Sequence, residues 1–327
     1  MSDLYPIKFQ PIFHEKIWGG QRIRTLLDKD FGDLPNCGES WELSGVEGNI
    51  SVVSNGFLAG NDLNELIEIY MGDLVGDKVY DKFGAEFPLL IKFIDANDDL
   101  SIQVHPNDQL SKERHNAYGK TEMWYVAGAE KGALINSGFN QELDRGKYLE
   151  YFSSGKLLDL LHFDETKVGD VFFIPAGRVH AIGKGCLVAE IQQTSDVTYR
   201  IFDYNRKDNA GNERELHTEL ALDALDFSYS GEYKTSYKNE LNQPVELASC
   251  QYFTTNLIEF DKDLDRDYNE LDSFVIYMTL EGDFEVMSEG GNEVVKKGET
   301  VLIPASLESI QLKPLSEKVK ILEVYIG

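Results

Sequence analysis

Two histidines and a glutamate stand where apolar segments begin or end. His105 closes the run LSIQVH, Glu122 opens EMWYV, and His180 follows the turn Pro175-Ala176-Gly177. Side chains alternate along a strand, so Gln103 and His105 share one face while Ile102 and Val104 share the other. An ordinary half-buried strand gives this alternation, and so does a metal site that takes two ligands from one rigid element. Glu122 alone fits a solvated strand boundary. Together His105, Glu122, His180 and Gln103 offer imidazole nitrogen, carboxylate oxygen and amide oxygen, a set that suits zinc with one position left open for water or substrate. Glu122 lies 17 residues beyond His105, and His180 a further 58. These separations are too long for a local finger and fit neighbouring strands that converge. The other histidines are His14 after an apolar turn, His115 in a charged loop, His162 after Leu160-Leu161, and His217 on an expected helix. They read as structural or solvated, with His14 also placed to line a cleft near Trp18.

The cations form a second group. The chain of 327 residues carries 31 Lys and Arg against 57 Asp and Glu, a formal charge of −26. That balance disfavours nucleic acid and anionic membrane surfaces as partners. A small anionic ligand would need a local basic pocket, so basic residues set among apolar ones are informative. Lys92 sits inside LLIKFI, Lys120 lies two before Glu122, and Arg200 sits in DVTYRIFDYNRK with Arg206 six residues later. Each has a plain account as the partner of one of the many acids. As a set they read as a focused anion pocket, in which the Arg fork suits phosphate and Lys acts as a point charge.

The elements that must position these residues are mostly strands. Residues 1–60 read as short strands and turns. The stretch 61–71 reads as a helix, with Asp62 and Glu65 as a capping box and Leu63, Leu66, Ile67 and Tyr70 on one face. Strands are expected at 87–95, 122–129, 170–182 and 186–194, a polar loop at 106–121, and helical turns at 141–161 and 213–227. The polar stretch 228–243 reads as a linker, and 244–327 as an all-β module. GDVFFIPA (169–176) recurs as GETVLIPA (298–305), but the second copy continues without a histidine. Two repeated sets of short strands imply a mainly β fold: two jelly-roll barrels or sandwiches with a few accessory helices, the second chemically silent. Cys37, Cys186 and Cys250 are far apart and show neither metal spacing nor a disulfide framework. The start has no signal-like segment and no apolar run nears the roughly 20 residues of a membrane span. A soluble cytoplasmic protein is expected. The sequence leaves oligomeric state open.

At this point the motifs resemble a known family. GDVFFIPAGRVHAIG fits the second cupin motif, G-x5-P-x-G-x2-H. The ordered blocks PLLIKFID, LSIQVHPND, GKTEMWYV, IPAGRVHAIGKG and EIQQTSDVTYRIFDYNR, with HEKIWGG and GESWELS upstream, resemble type I phosphomannose isomerases of the short bacterial form, over about residues 5–230. The resemblance implies a catalytic, metal-binding cupin domain at 1–235 and a degenerate cupin-like β domain at 236–327. It implies one zinc ion per chain, with metal positions at Gln103, His105, Glu122 and His180. It puts the catalytic arginine at Arg200, substrate lysines at Lys92 and Lys120, and a further substrate cation at Arg206. Trp18 falls at an aromatic of the cleft. The first cupin motif departs from the generic pattern, because Gln103 stands where a histidine is usual and Glu122 follows a loop.

The implied reaction interconverts mannose 6-phosphate and fructose 6-phosphate by moving a hydrogen between C1 and C2. Zinc would polarise the substrate oxygens and Arg200 would stabilise charge, with Lys92, Lys120 and Arg206 on the phosphate. Glu42, Glu190, Asp196 or a zinc-bound hydroxide are the candidates for the general base. Three alternatives stay open: a two-histidine, one-carboxylate iron oxygenase, a non-catalytic sugar-phosphate-binding cupin, and an isomerase of free mannose or another aldose phosphate.

Overall fold

The computed structural model describes residues 4–207 and 211–327. Alternating apolar residues place the strands in four antiparallel sheets of six, five, six and four strands. They pair as two sandwiches rather than closed barrels. In the first, the six-stranded sheet holding Glu39–Ser44, Leu89–Ala96, Cys186–Gln193 and Glu122–Ala129 faces the five-stranded sheet holding Ile102–Val104, His180–Ile182 and Tyr199–Phe202. In the second, the remaining six- and four-stranded sheets enclose a core that includes Phe260, Tyr277, Phe284 and Leu312. The expectation of a mainly β fold holds.

The two large sheets pack back to back. Leu89, Ile91, Phe93, Met123, Ala189 and Ile191 from the first meet Leu257, Ile276, Met278, Leu322 and Val324 from the second. The strand Leu89–Ala96 is therefore buried on both faces. Its odd residues fill this central layer, while Lys92 and Ile94 point into the first sandwich. The same alternation turns Glu190 and Gln192, and Glu122 and Trp124, inward. A continuous apolar run usually marks such a doubly buried strand. Here a polar row lies on one side of it. Further contacts join the halves. The strand Ile7–Lys8 pairs with Thr300–Ile303, and Asp272 accepts from the backbone N–H groups of Asp77 and Lys78. Gly76, at φ +92°, approaches so closely that a Cβ there would lie 2.4 Å from the Asp272 carbonyl oxygen.

The helices follow local chemistry. Leu63–Tyr70 starts at the expected capping box, with Asp62 accepting from Glu65 N and Glu65 accepting from Asp62 N. The expected turns at 141–161 are the helix Arg145–Ser153 and a short 3-10 turn, Leu157–Leu160. The stretch expected to be a loop, 106–121, instead contains the helix Asp108–His115, capped by the Asn107 side chain on Leu110 N. The helix expected at 213–227 is limited to Thr218–Ala224. Residues 228–243 are no free tether. Tyr233 is buried and donates to Phe139 O, and Tyr237 donates to Gly169 O. Among the described residues no helix is long and apolar enough to cross a membrane.

Ile191 sits fully buried in the layer between the sandwiches. Ile191→Ala should lower unfolding free energy by about 2–5 kcal/mol. Denaturant titration checks this, and a loss under about 1 kcal/mol would mean the two large sheets do not share a core there.

Candidate active site

His105 and His180 come from neighbouring parts of the five-stranded sheet, and Glu122 projects from the facing sheet. His180 lies opposite Gln103 in register. The His105 and His180 Nε2 atoms are 3.1 Å apart. Glu122 Oε2 lies 3.5 Å from His105 Nε2, and Oε1 lies 3.4 Å from His180 Nε2. All three side chains are buried. Each imidazole is oriented through its other nitrogen. His105 Nδ1 lies 2.8 Å from Val197 O and His180 Nδ1 lies 2.8 Å from Arg178 O. A carbonyl can only accept, so both protons sit on Nδ1 and both Nε2 lone pairs face the carboxylate. No donor is aligned on either Glu122 oxygen, although Lys120 Nζ approaches Oε2 to 3.0 Å and His105 Nε2 to 3.1 Å.

Three acceptors converging in a buried place are unfavourable without a cation. Ligands about 2.0–2.1 Å from a tetrahedral ion lie about 3.4 Å from one another. The observed separations of 3.1, 3.4 and 3.5 Å match that edge, so the group fits a small divalent cation. Among the described residues these three can ligate one ion together. Gln103 is adjacent. It turns Nε2 to His180 Nε2 at 3.3 Å, with Oε1 accepting from Ser101 Oγ. A half-turn of its amide would present oxygen instead.

Burial sets the protonation. Burial first, then the Lys120 charge, pushes His105 well below its ordinary value. Burial likewise lowers His180 to about 3, so both rings are neutral and able to ligate. Burial, and then the charge of Glu190, raises Glu122 to about 7. A bound cation would oppose that rise.

The cluster lies behind a cavity of about 470 Å³, and Gln103 and Lys120, which both touch the cluster, line that cavity. One wall is a cross-strand row: Trp41, Lys92, Glu190 and Trp124 lie side by side in register. Lys92 Nζ sits 2.9 Å from Glu190 Oε1, and Trp124 Nε1 donates to Glu190 Oε2 at 2.6 Å. Burial would raise Glu190, but Lys92 and Lys120 outweigh it and hold the carboxyl below its ordinary range. Glu39 accepts from Trp41 Nε1 at 2.7 Å and pairs with Lys16 at 3.2 Å. Burial opposes its ionisation, yet Lys92 and Lys16 bring it to about 2. The loop after Cys186–Gln193 forms another wall. Gln192 Nε2 donates to the carbonyls of Gln193 and Ser195, fixing the turn from which Val197 O receives His105.

Of the residues singled out from sequence, Gln103, Lys92, Lys120, Arg200 and Trp18 line this cavity, and His105, Glu122 and His180 come together in contact with Gln103 and Lys120. Arg206 does not line it. Its guanidinium is held outside by Asp203 and the Asp99 carbonyl. Arg214 lines the cavity instead. Among the candidate bases, Glu190 and Asp196 line the cavity, whereas Glu42 faces away and pairs with Lys29 at 2.7 Å. His14, Lys16, Glu39 and Trp41 also line it. Of these, His14 is the one whose sequence setting near Trp18 points to a cleft. Strand alternation puts Glu39 and Trp41 on one face and could have found them. Nothing in the sequence around Arg214 marks its direction.

The chain matches two family descriptions: phosphomannose isomerase type I, catalytic domain, over residues 7–135, and mannose-6-phosphate isomerase, cupin domain, over residues 244–324. It is 35% identical over 321 residues to mannose-6-phosphate isomerase ManA of Bacillus subtilis, covering 95% of this chain and 97% of that one. It is 33% identical over 310 residues to a mannose-6-phosphate isomerase of Streptococcus mutans, covering 94% of each. The crystal structure of a mannose 6-phosphate isomerase from Bacillus subtilis superposes with a TM-score of 0.87 at 31% identity, covering 98% of this chain and 99% of that one.

A divalent cation that binds the native cluster should stabilise the fold. An excess of about 100-fold over Kd adds about 2.7 kcal/mol. Thermal unfolding should shift upward by several degrees on adding zinc to metal-free protein, and His180→Ala should abolish the shift. Equal shifts in the two proteins would place the ion elsewhere.

Proposed function

The chain belongs to the type I phosphomannose isomerase family of aldose–ketose isomerases, and from that premise we propose that its cleft interconverts mannose 6-phosphate and fructose 6-phosphate with one zinc ion held by His105, Glu122 and His180. The observation that carries this reading is the buried group of two neutral imidazoles and a carboxylate, spaced as a tetrahedral ion requires. Gln103 is the fourth ligand in this proposal, through its amide oxygen. Zinc, when bound, supplies Lewis acidity toward the substrate oxygens at C1 and C2.

The chain's own groups supply the rest. The cluster and the row beside it are buried, so fixed charges act at low dielectric and need little reorganisation. Lys120, beside Glu122 and His105, presents its ammonium to the oxygen that gains charge as hydrogen leaves carbon. Lys92 is neutralised by Glu190 and Glu39 and holds that wall in position. Glu190 is the buried and ionised member of the three carboxylates considered as base. It lies in the cleft, whereas Glu42 faces away and Asp196 is exposed. We assign Glu190 the proton transfer between C1 and C2. The iron oxygenase alternative gives no role to Gln103 or to the basic groups.

The test is a coupled assay with mannose 6-phosphate before and after chelation, with zinc returned. Chelated protein should lose activity and zinc should restore it. Full activity in verified metal-free protein would refute the reading. Glu190→Gln should keep its zinc and lose about 10²–10⁴ in kcat. A variant of normal kcat would remove Glu190 from the proton path.

A further inference from the structure

The cleft has a second charged end, separate from the metal cluster. Arg200 lies opposite Gln103 in register, and Gln103 lies opposite His180. Two strand spacings of about 4.8 Å put Arg200 roughly 10 Å across the sheet from His180. A six-carbon chain with a terminal phosphate, held by C1 and C2 at the cluster, spans that distance.

Two guanidiniums there bond one carboxylate, and a third, that of Arg200, lies near enough to feel their charges. Arg214 Nε donates to Asp203 Oδ2 at 2.7 Å, and its Nη2 donates to Oδ1. Arg206 also donates to Asp203 Oδ1. Arg200 Nη1 donates to Glu215 O at 2.8 Å, while its buried Nε has no acceptor. Arg200 and Arg214 both line the cavity, and Arg206 does not. After burial, the Arg214 charge is the largest influence depressing Arg200. Asp203 pairs with Arg206 and Arg214, and Asp98 lies 3.9 Å from Arg206, while Arg200 bonds a neutral carbonyl. An anion between the two cleft-facing guanidiniums would relieve their repulsion and give the Arg200 Nε–H an acceptor. Asp203 holds Arg214 by two bonds, so little side-chain freedom remains to be lost on binding.

We propose that Arg214, held by Asp203, grips the substrate's phosphate together with Arg200 and is a specificity-determining residue for phosphorylated over free sugar. The proposal rests on the isomerase reading and deepens it. It gives Arg214 the place that sequence resemblance assigned to Arg206. Lys92 and Lys120, paired with Glu190 and Glu122 near the cluster, serve the other end of the sugar.

The experiment compares wild type, Arg214→Ala, Arg214→Lys and Lys207→Ala. Lys207 is an exposed cation on the same loop, outside the cleft, and controls for general loss of charge. KM for mannose 6-phosphate and the inhibition constant for inorganic phosphate should each rise about 10- to 100-fold in Arg214→Ala, the loss expected for a charge-assisted hydrogen bond. Values for kcat and zinc content should stay within about threefold. Arg214→Lys keeps a charge against Asp203 but loses the fork, and should fall between. Lys207→Ala should match wild type. Calorimetric titration of inorganic phosphate reads the same site without turnover. If wild type fails to isomerise the sugar yet binds phosphate through Arg214, the isomerase reading falls and this site stands. Unchanged KM and phosphate affinity in Arg214→Ala would overturn the proposal. So would an equal loss in Lys207→Ala. If Arg214→Ala does not fold, wild-type affinity in Arg214→Lys overturns it.

Discussion

Two imidazole nitrogens 3.1 Å apart, each with its proton committed to a backbone carbonyl, repel one another unless something positive lies between them. Adding the buried Glu122 carboxylate makes a concentrated set of acceptors shielded from bulk solvent. Only Lys120 reaches into it as a charged donor among the described residues. The rest of the first sandwich depends on this arrangement. The Val197 and Arg178 carbonyls hold the rings, the Gln192 amide holds the turn that carries Val197, and the opposed sheets keep the carboxylate facing the imidazoles. Such outer partners orient metal ligands generally and make the set costly to assemble by chance.

The second sandwich explains how so polar a cavity is kept rigid. A strand that carries Lys92 or Glu190 inward has little apolar surface to offer on that face. Its other face is then all the more important. Leu89, Ile91 and Phe93 alternate with Lys92, and Ala189 and Ile191 alternate with Glu190. All of them are buried against the C-terminal six-stranded sheet. The C-terminal module contributes no ligand to the metal cluster. It contributes the apolar layer against which the catalytic sheet is stiffened, and a stiff sheet is what preorganised charges require. The repeated GDVFFIPA and GETVLIPA segments show the division of labour. Each opens with a glycine at positive φ, Gly169 and Gly298. Gly177-Arg178-Val179-His180 follows the first, and Ser306-Leu307-Glu308-Ser309 the second.

Much of this was legible in the residues because strands impose a period of two. His105 and Gln103 had to share a face, and so did Lys92 with its inward neighbours. The capping box at Asp62 and Glu65 announced its helix through local chemistry alone. What could not be read was decided by packing or by loops. The helix Asp108–His115 has no apolar stripe, since only Ser111 is buried, so no periodicity reveals it. Its signal was the Asn107 cap, which looks like any turn residue. That Arg214 and not Arg206 lines the cavity is a matter of loop contacts, since Asp203 binds both and the Asp99 carbonyl takes a further bond from Arg206. Spacing carries no trace of that choice. Glu42 looked as suitable as Glu190 by composition. Its pairing with Lys29 depends on a contact made only when the chain folds.

The most direct measurement is X-ray absorption at the zinc edge on protein loaded with one equivalent of zinc and freed of excess. The expected result is a first shell of nitrogen and oxygen at about 2.0–2.1 Å with outer scattering from two imidazoles, lost together in His180→Ala. The chain also has three free cysteines, Cys37, Cys186 and Cys250. A shell containing sulfur at about 2.3 Å, or one with no imidazole scattering, would contradict it.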